Sequence, residues 1–332
     1  MKKVTLFKSA VLALLACVGI AACNNDATEV PTETETYTVK LGWAGEILDV
    51  SYEPFATARA ASNDLYGIQV YSMPKTSSST TDWTPYAAGL FDDPNNITIT
   101  LQSGSKYKFV ASMVKNGKIK INGTSNGHYG FPFFWTLSDS FSYGTEQINQ
   151  NISTGFSNLS DDNGNNIGDF RRPNVERFYG ELIDYIPDSG NTSAKIGMKR
   201  TSFGAKFVAG GKLAVDGKLE IKLEGAPNME LALTAGADEI SDIFTFYDVD
   251  AAWAKDNYTE DINVSLNWIR PDGTAQPLGT HEITFKRNTM TIVEVNIDKD
   301  GNDEGVDLDI PSSETGSMAN GSTVTINDGV MQ

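Results

Sequence analysis

One stretch of the sequence matches a nucleophile motif. Residues 123–127 read Gly-Thr-Ser-Asn-Gly, which fits the G-x-S-x-G pattern of serine hydrolases, and His128 follows directly. That chemistry needs a strand before the serine and a helix after it, so that a strained turn raises the hydroxyl. Here Pro132 and several aromatic residues follow, and proline disfavours a helix. An Asn-Gly hairpin loop explains the match better, and since His281 is the one other histidine, we predict that the chain is not an enzyme.

A second stretch resembles the start of a calcium-binding loop. Asp298, Asp300 and Asn302 have the D-x-[DN]-x-[DN] spacing of an EF-hand, whose side-chain oxygens ligate Ca²⁺. The sixth position is Asp303 where the loop needs glycine, and the twelfth is Asp309 where it uses glutamate. The first three residues are therefore a weak calcium candidate, with a solvated acidic spacer as the alternative. No cofactor is expected.

A third group of residues could bind a ligand through its rings. Seven aromatic residues lie within positions 129–143, and Tyr129, Phe134 and Trp135 are the candidates for an exposed platform. Such rings stack on sugars or on partner surfaces. The alternative is a core strand with a packed loop, because large aromatic side chains are mostly buried in folded proteins.

The N-terminus has the pattern of an exported lipoprotein. Lysines at positions 2, 3 and 8 precede an apolar stretch of 13 residues, shorter than the roughly 20 that span a bilayer. The stretch ends in Ile-Ala-Ala and Cys23 follows directly, a sequence that resembles a bacterial lipobox. We predict that residues 1–22 are a signal peptide, that Cys23 carries lipid, including palmitate, and that residues 23–36 form an acidic tether. An ordinary signal peptide with a chance cysteine is the alternative.

The charge balance excludes one class of partner. The chain has 26 Lys and Arg residues against 43 Asp and Glu, a formal net charge of −17. Removal of residues 1–22 takes away three lysines and no acid, which leaves a charge of −20. A nucleic-acid-binding protein needs a basic face, so nucleic acid is not expected as a partner.

The elements that must position these residues are strands. Apolar and polar side chains alternate over short stretches bounded by Gly, Asn, Asp or Pro, the pattern of half-buried antiparallel strands. The stretches are 38–43, 97–101, 107–114, 118–121, 218–223, 230–234, 263–268, 282–286, 291–297 and 322–327. Short helices are predicted near residues 174–183 and 250–256. The pattern favours an all-β sandwich, because a parallel α/β sheet would need crossover helices.

We predict two folded domains followed by a tail. Residues 37–196 are the N-terminal β-sandwich domain, and residues 197–300 are the C-terminal β-sandwich domain. Residues 301–332 are an acidic tail that ends in a strand-like stretch.

Three further segments matter in combination with Cys23. They are 64–71 (DLYGIQVY), which follows Arg59, 198–208 (MKRTSFGAKFV) and 283–295 (ITFKRNTMTIVEV). Their order and spacing resemble the Bacteroidetes fimbrillin family of lipoprotein-derived pilins and minor, Mfa-like fimbrial subunits. The resemblance implies two transthyretin-like β-sandwich domains. It also implies that an Arg-specific protease removes the first strand, and that a strand from the next subunit fills the groove.

Carried over to this sequence, the resemblance makes Arg59 the candidate processing site and residues 37–43 part of the removed strand. The candidate donor strand includes Thr323, Val324, Thr325 and Ile326. The implied protein is a fimbrial structural or adhesion subunit, surface-exposed and lipid-anchored in the cell outer membrane. Its partners would be other fimbrial subunits, membrane lipid through Cys23, and a glycan or protein on a host or bacterial surface. Arg59 as an ordinary loop arginine is the alternative.

The competing hypothesis is a surface glycan-binding lipoprotein of a polysaccharide-uptake system. Its sugar platforms would be tryptophans, and the chain has five of them: Trp43, Trp83, Trp135, Trp253 and Trp268.

Overall fold

The computed structural model describes residues 35–47, 63–121, 127–133, 135–144, 152, 156–161, 163–210, 217–233, 238–296, 318–327 and 330–331. Most of these residues lie in strands, and the two helices among them are short. The predicted all-β class is therefore confirmed.

The first sandwich is built from an eight-stranded sheet with the order β4-β1-β10-β9-β5-β2-β3-β6, beside a separate β7–β8 pair. The strands are β1 (Thr36–Gly45), β2 (Leu65–Pro74), β3 (Thr84–Phe91), β4 (Thr98–Gln102), β5 (Ser105–Val114), β6 (Ser142–Tyr143), β7 (Phe156–Ser160), β8 (Asn166–Phe170), β9 (Arg177–Tyr185) and β10 (Ser193–Arg200).

Strand β10 is the corner at which this sheet folds over. Residues 193–198 pair with β1, whereas Lys199 and Arg200 pair with β9. Apolar side chains of β1, β4 and β10 then share one core with those of β2, β3 and β5. The corner is tight, because a Cβ on Gly180 of β9 would collide with the carbonyl oxygen of Gly197. Glycine at this position lets the two backbones approach.

The second sandwich places a five-stranded sheet, β14-β11-β17-β18-β19, over a four-stranded sheet, β13-β12-β15-β16, with one apolar core built from both. The strands are β11 (Ser202–Gly210), β12 (Gly217–Leu223), β13 (Met229–Leu233), β14 (Asp238–Thr245), β15 (Thr259–Ile269), β16 (Ala275–Lys286), β17 (Thr289–Asn296), β18 (Ala319–Asn327) and β19 (Val330–Met331). The predicted domain boundary between residues 196 and 197 stays a prediction; the change of sheet falls between β10 and β11.

Two local predictions were wrong. The stretch predicted as a strand at 118–121 begins in helix α1 (Gly117–Lys120), because Asn116 takes a left-handed φ of 53° and turns the chain. The stretch predicted as a helix near 174–183 contains strand β9. Its first four residues are all buried, because each face of β9 packs against a core. The side chains of β9 therefore do not alternate between apolar and polar in the sequence. Helix α2 (Val249–Ala254) lies where a short helix was predicted.

The sequence predicted antiparallel sheets, and this prediction is wrong for three pairs of strands. Within the described residues, β1 pairs in parallel with β10, β11 with β17, and β17 with β18. Strands β2 to β9 lie between β1 and β10 in the chain, and β12 to β16 lie between β11 and β17, so these two parallel pairs are connected through other strands. Residues 297–317, which join β17 to β18, lie outside the described residues.

Candidate functional site

Strand β1 is built into the first sandwich between two other strands. It pairs antiparallel with β4 and parallel with β10. Its alternate residues face the core: Val39 and Leu41 are buried, and Tyr37 and Trp43 pack at its margin. The alternation that predicted a strand thus also identifies the buried face, because successive side chains point to opposite sides. Removing β1 would open an apolar slot between β4 and β10.

The outer edge of the neighbouring strand β4 is closed by two tyrosines at Thr100. The Tyr86 hydroxyl donates to the Thr100 carbonyl at 2.8 Å, and the Thr100 N–H donates to the Tyr143 hydroxyl at 3.1 Å. Burial is the main cause of the raised pKa of Tyr86. The raised pKa keeps the hydroxyl protonated, so that it can donate this hydrogen bond. An edge whose backbone groups are occupied is a poor site for adding a strand.

A carboxylate directly after β1 ties this strand to the second sandwich. Gly45 has a φ of 81° and turns the chain, so that Glu46 meets Arg287 in the turn between β16 and β17. The pair is bidentate, with 2.6 Å from Nη1 to Oε2 and 3.0 Å from Nη2 to Oε1. Glu46 Oε2 also accepts the backbone N–H of Arg200 at 2.7 Å. We call Glu46, Arg287 and Arg200 the β1 clasp.

The clasp lies beside a second set of buried charges at the junction of the sandwiches. Arg200 Nε donates to Glu176 Oε1 at 2.8 Å, and its guanidinium lies 5.2 Å from the centre of the Phe178 ring. Arg177 is fully buried and donates from Nε to Ser112 Oγ at 2.8 Å. Burial lowers the pKa of Arg177, because it disfavours the charged guanidinium. These bonds make the junction a polar core that fixes the position of Arg200.

Strand β18 holds the residues predicted as a donor strand. Thr323, Val324, Thr325 and Ile326 lie in register beside residues 292–295 of β17. Val324 is partly buried against the core of the second sandwich. On the other side of β18, strand β19 pairs with Ile326 and Asn327, the pairing that the described residues contain at that edge. Within the described residues, Thr323, Val324 and Thr325 therefore lie at the edge of the sheet, whereas Ile326 is covered by β19.

Several predicted site residues lie outside the described residues. They are the lipidation candidate Cys23, the processing candidate Arg59, the calcium candidates Asp298, Asp300 and Asn302, and Phe134. Each of these assignments stays a prediction.

The predicted aromatic platform does not fit the structure at Trp135. This residue is 7% exposed, and its ring stacks on Phe133, whose ring covers Gly67 of β2. Tyr129 is half-buried against the same cluster. The core alternative describes Trp135, because residues 127–133 and 135–141 fold over the outer face of β2 and cover apolar side chains there.

The other tryptophans differ in how they are packed. Trp43 donates to the Pro94 carbonyl at 3.1 Å, Trp253 packs edge-to-face on Tyr179, and Trp268 is buried beneath Arg270. Trp83, in contrast, lines a surface cleft of about 410 Å³.

This cleft is formed by a regular array of side chains. Strands β2, β5 and β9 lie side by side, and each contributes two residues that are two positions apart. Cross-strand register aligns them, and the loop before β3 and helix α2 close the sides. The lining residues are Gln69, Tyr71, Thr81, Trp83, Lys108, Val110, Tyr179, Glu181 and Asp250.

The hydrogen bonds of the cleft fix its polar groups. Tyr71 Oη donates to Gln69 Oε1 at 3.2 Å, and Tyr179 Oη donates to Glu181 Oε1 at 2.8 Å. Lys108 Nζ lies 3.1 Å from Glu181 Oε2. Burial raises the pKa of both tyrosines, so their hydroxyls stay neutral at physiological pH. We call these nine lining residues the β2–β5–β9 cleft.

The histidines do not form a catalytic pair. His128 lies in the first sandwich, where its ring is 3.1 Å from Thr136 Oγ1, and His281 in the second binds the Leu278 carbonyl. Within the described residues, no three His, Cys, Asp or Glu side chains come together as a metal site would require. Neither described helix has the length and apolar character to cross a bilayer.

Sequence reasoning missed the β1 clasp and the cleft. Glu46 carries no signal by itself, although an Arg-Asn pair at a hairpin turn could have marked Arg287 as a structural residue. For the cleft, the alternation Gln69-Val-Tyr71 in an apolar strand was the available signal, since polar side chains on the second face of a buried strand need a reason.

Comparison with known proteins gives weak similarities. No family model matches the chain, and no curated protein matches it. A solved structure of a candidate adhesin from Bacteroides ovatus is similar at a TM-score of 0.34 and 11% identity, covering 88% of this chain and 99% of that one. A candidate adhesin from Bacteroides thetaiotaomicron gives 0.32 and 9%, with coverages of 74% and 81%.

The fimbrial anchor protein Mfa2 from Porphyromonas gingivalis is similar at a TM-score of 0.33 and 7% identity, covering 75% of this chain and 82% of that one. The similar solved structures thus include Bacteroidetes candidate adhesins and a fimbrial protein. At these TM-scores and identities the similarity does not establish a shared function.

Proposed function

We propose that the chain is a surface-exposed, lipid-anchored fimbrial structural or adhesion subunit, without enzymatic activity, that assembles by strand exchange. The observation that carries the proposal is the position of β1. This strand fills a core slot between β4 and β10, yet it is joined to β2 through the segment that contains Arg59. A cut after Arg59 would separate β1 from the rest of the chain and leave β2 to β19 continuous.

The candidate donor fits the slot in part. The slot takes up two fully buried side chains of β1, Val39 and Leu41, spaced two residues apart. In β18, Val324 and Ile326 have the same spacing, with polar residues between them. An incoming strand would gain backbone hydrogen bonds on both sides, whereas among the described residues β18 pairs along its length with β17 and through Ile326 and Asn327 with β19.

Exchange also has a cost, which the β1 clasp sets. Departure of β1 together with Glu46 would take the carboxylate away from Arg287, whose side chain is 5% exposed. Arg287 would keep its bonds to the backbone carbonyls of Arg200 and Asp256, at 2.9 and 3.3 Å. Cleavage should therefore leave β1 bound until a donor competes for the slot.

A disulfide staple tests whether β1 must leave. The Leu41 N–H donates to the Ile97 carbonyl, and the Ser103 N–H to the Glu35 carbonyl, which makes Thr38 and Thr100 a non-hydrogen-bonded pair. In such pairs the Cα atoms are about 4.5 Å apart, within disulfide range. Both side chains are exposed. The test variant is T38C/T100C with Cys23→Ser.

After digestion with an Arg-specific protease, we expect polymers from the reduced staple variant and none from the oxidised one. Electron microscopy and size-exclusion chromatography measure the polymers, and Thr38→Cys alone is the matched control. Arg59→Ala should also prevent assembly. Equal polymerisation of the oxidised and reduced proteins would show that β1 does not leave, and the strand-exchange proposal would fail.

The glycan-binding hypothesis is the second candidate, and one observation favours it. Trp83, one of the five tryptophans considered as sugar platforms, lines the β2–β5–β9 cleft.

A further inference from the structure

The β2–β5–β9 cleft has the size and the preformed walls of a ligand site. Its volume of about 410 Å³ lies within the range of roughly 300–1,000 Å³ that small-molecule sites occupy. The floor is rigid, because Gln69, Val110 and Tyr179 are buried in the sheet. The rim is braced as well: Ser79 Oγ accepts the N–H groups of Thr81 and Asp82 at 3.2 and 3.1 Å.

The polar groups of the cleft suit hydroxyls. Tyr71 and Thr81 have neutral hydroxyls that donate and accept, and Glu181 accepts hydrogen bonds. Gln69 lies buried beneath them and accepts a hydrogen bond from the hydroxyl of Tyr71. A sugar hydroxyl both donates and accepts, so a wall with both kinds of group satisfies it. Trp83 adds an aromatic ring, which packs against the C–H face of a pyranose.

The charges of the cleft oppose an anionic ligand. Lys108 is paired with Glu181, and Lys106 is paired with Asp184 at 2.8 Å. Asp250 is exposed at the rim and adds a negative charge. A cationic ligand would meet the Lys106 ammonium, which lies over the Trp83 ring at 5.7 Å from its centre. A neutral ligand avoids both repulsions.

We infer that the β2–β5–β9 cleft binds one neutral pyranose unit of a polysaccharide. Tyr71 and Glu181 hydrogen-bond its hydroxyls from the floor and wall, and Trp83 contacts the ring at the rim. The cleft is built from β2, β5, β9, the loop before β3 and helix α2, so it remains complete whether or not β1 leaves.

Affinity electrophoresis of the full chain with Cys23→Ser tests this site. The gels contain xyloglucan, galactomannan, dextran, yeast mannan or arabinoxylan as neutral polymers, and polygalacturonate as the acidic one. We expect retardation by at least one neutral polymer and none by polygalacturonate. Trp83→Ala should weaken binding about tenfold, as loss of an aromatic anchor does. Tyr71→Phe should weaken it less, since it removes one hydroxyl.

The matched control is Tyr247→Ala, because Tyr247 is 53% exposed and does not line the cleft. This variant should bind as the parent protein does, and circular dichroism should show that every variant is folded. Failure of all five neutral polymers overturns the inference. So does retardation that Trp83→Ala and Tyr71→Phe leave unchanged, or binding to polygalacturonate alone. None of these outcomes touches strand exchange, which the staple variant tests separately.

Discussion

Strands β1 and β18 are the first and last long strands of the described chain, and they are attached in opposite ways. β1 has a neighbour on each side, two fully buried apolar residues and a bidentate carboxylate at its end. β18 has one long neighbour and a partly buried valine. Both have the same alternating sequence pattern. The difference shows that the pattern specifies a strand, while the number of neighbours and the depth of burial decide how firmly the strand is held.

The largest expected effect is the loss of stability on truncating a core side chain of β1, compared with the same kind of truncation in β18. Leu41→Ala should lower the free energy of unfolding by about 2–5 kcal/mol, because it removes buried methyl groups and leaves a cavity. Val324→Ala should cost about 1 kcal/mol or less, since the valine is partly exposed. Urea denaturation followed by circular dichroism and tryptophan fluorescence measures both. Equal costs would contradict the comparison.

A smaller effect is expected from the β1 clasp. Glu46→Gln should destabilise the first sandwich by about 2 kcal/mol, because Arg287 loses its charge partner while remaining buried; the partial exposure of Glu46 reduces the full cost of a broken buried pair. The same substitution should speed the release of β1 after cleavage. Urea denaturation measures the first effect, and native mass spectrometry of the cleaved protein measures the second.

The control for the clasp is Asp256→Asn. Asp256 pairs with Lys199 at 2.6 Å, but its side chain is 77% exposed. Solvent screens such a pair, so the unfolding midpoint should not change. A Glu46→Gln variant that behaves like Asp256→Asn would show that the clasp does not hold β1.

The smallest expected effect is a loss of folding stability at alkaline pH, and it should differ between the two sandwiches. Burial is the main cause that raises the pKa of five tyrosines in the first sandwich, Tyr71, Tyr86, Tyr107, Tyr179 and Tyr185. In the second sandwich burial raises the pKa of Tyr258 to about 12. A raised pKa means that the folded state binds the proton more tightly. The stability it contributes is complete below about pH 10 and is lost as the pH rises through the folded pKa.

The first sandwich should therefore lose more stability than the second between about pH 9 and pH 11. Arg177 acts in the opposite direction, because its lowered pKa favours folding as the proton leaves, but it is one group against five. Urea midpoints at the two pH values, followed by tryptophan fluorescence and tyrosinate absorbance, measure the change. The expectation would be contradicted if the urea midpoint of the first sandwich stayed constant between the two pH values while that of the second sandwich fell.

The sequence predicted the strands well and their partners poorly. Stretches such as 38–43, 263–268 and 282–286 alternate clearly, and each lies in a strand of the structure. Strand β9 was misassigned because both of its faces are buried, so alternation in space did not appear as alternation in polarity. The parallel pairing of β1 with β10 was not foreseen, because hairpin turns signal antiparallel neighbours and no local signal marks a parallel one.

The sequence by itself determined the all-β class and the buried face of β1, because both follow from the side chains of neighbouring residues. The tertiary structure alone decided that Glu46 meets Arg287, which is 241 residues away in the chain. It also decided that polar residues from three strands line one cleft. Side-chain period and turn chemistry are local, whereas clasps and clefts depend on which distant strands become neighbours, and the packing of whole sheets fixes that choice.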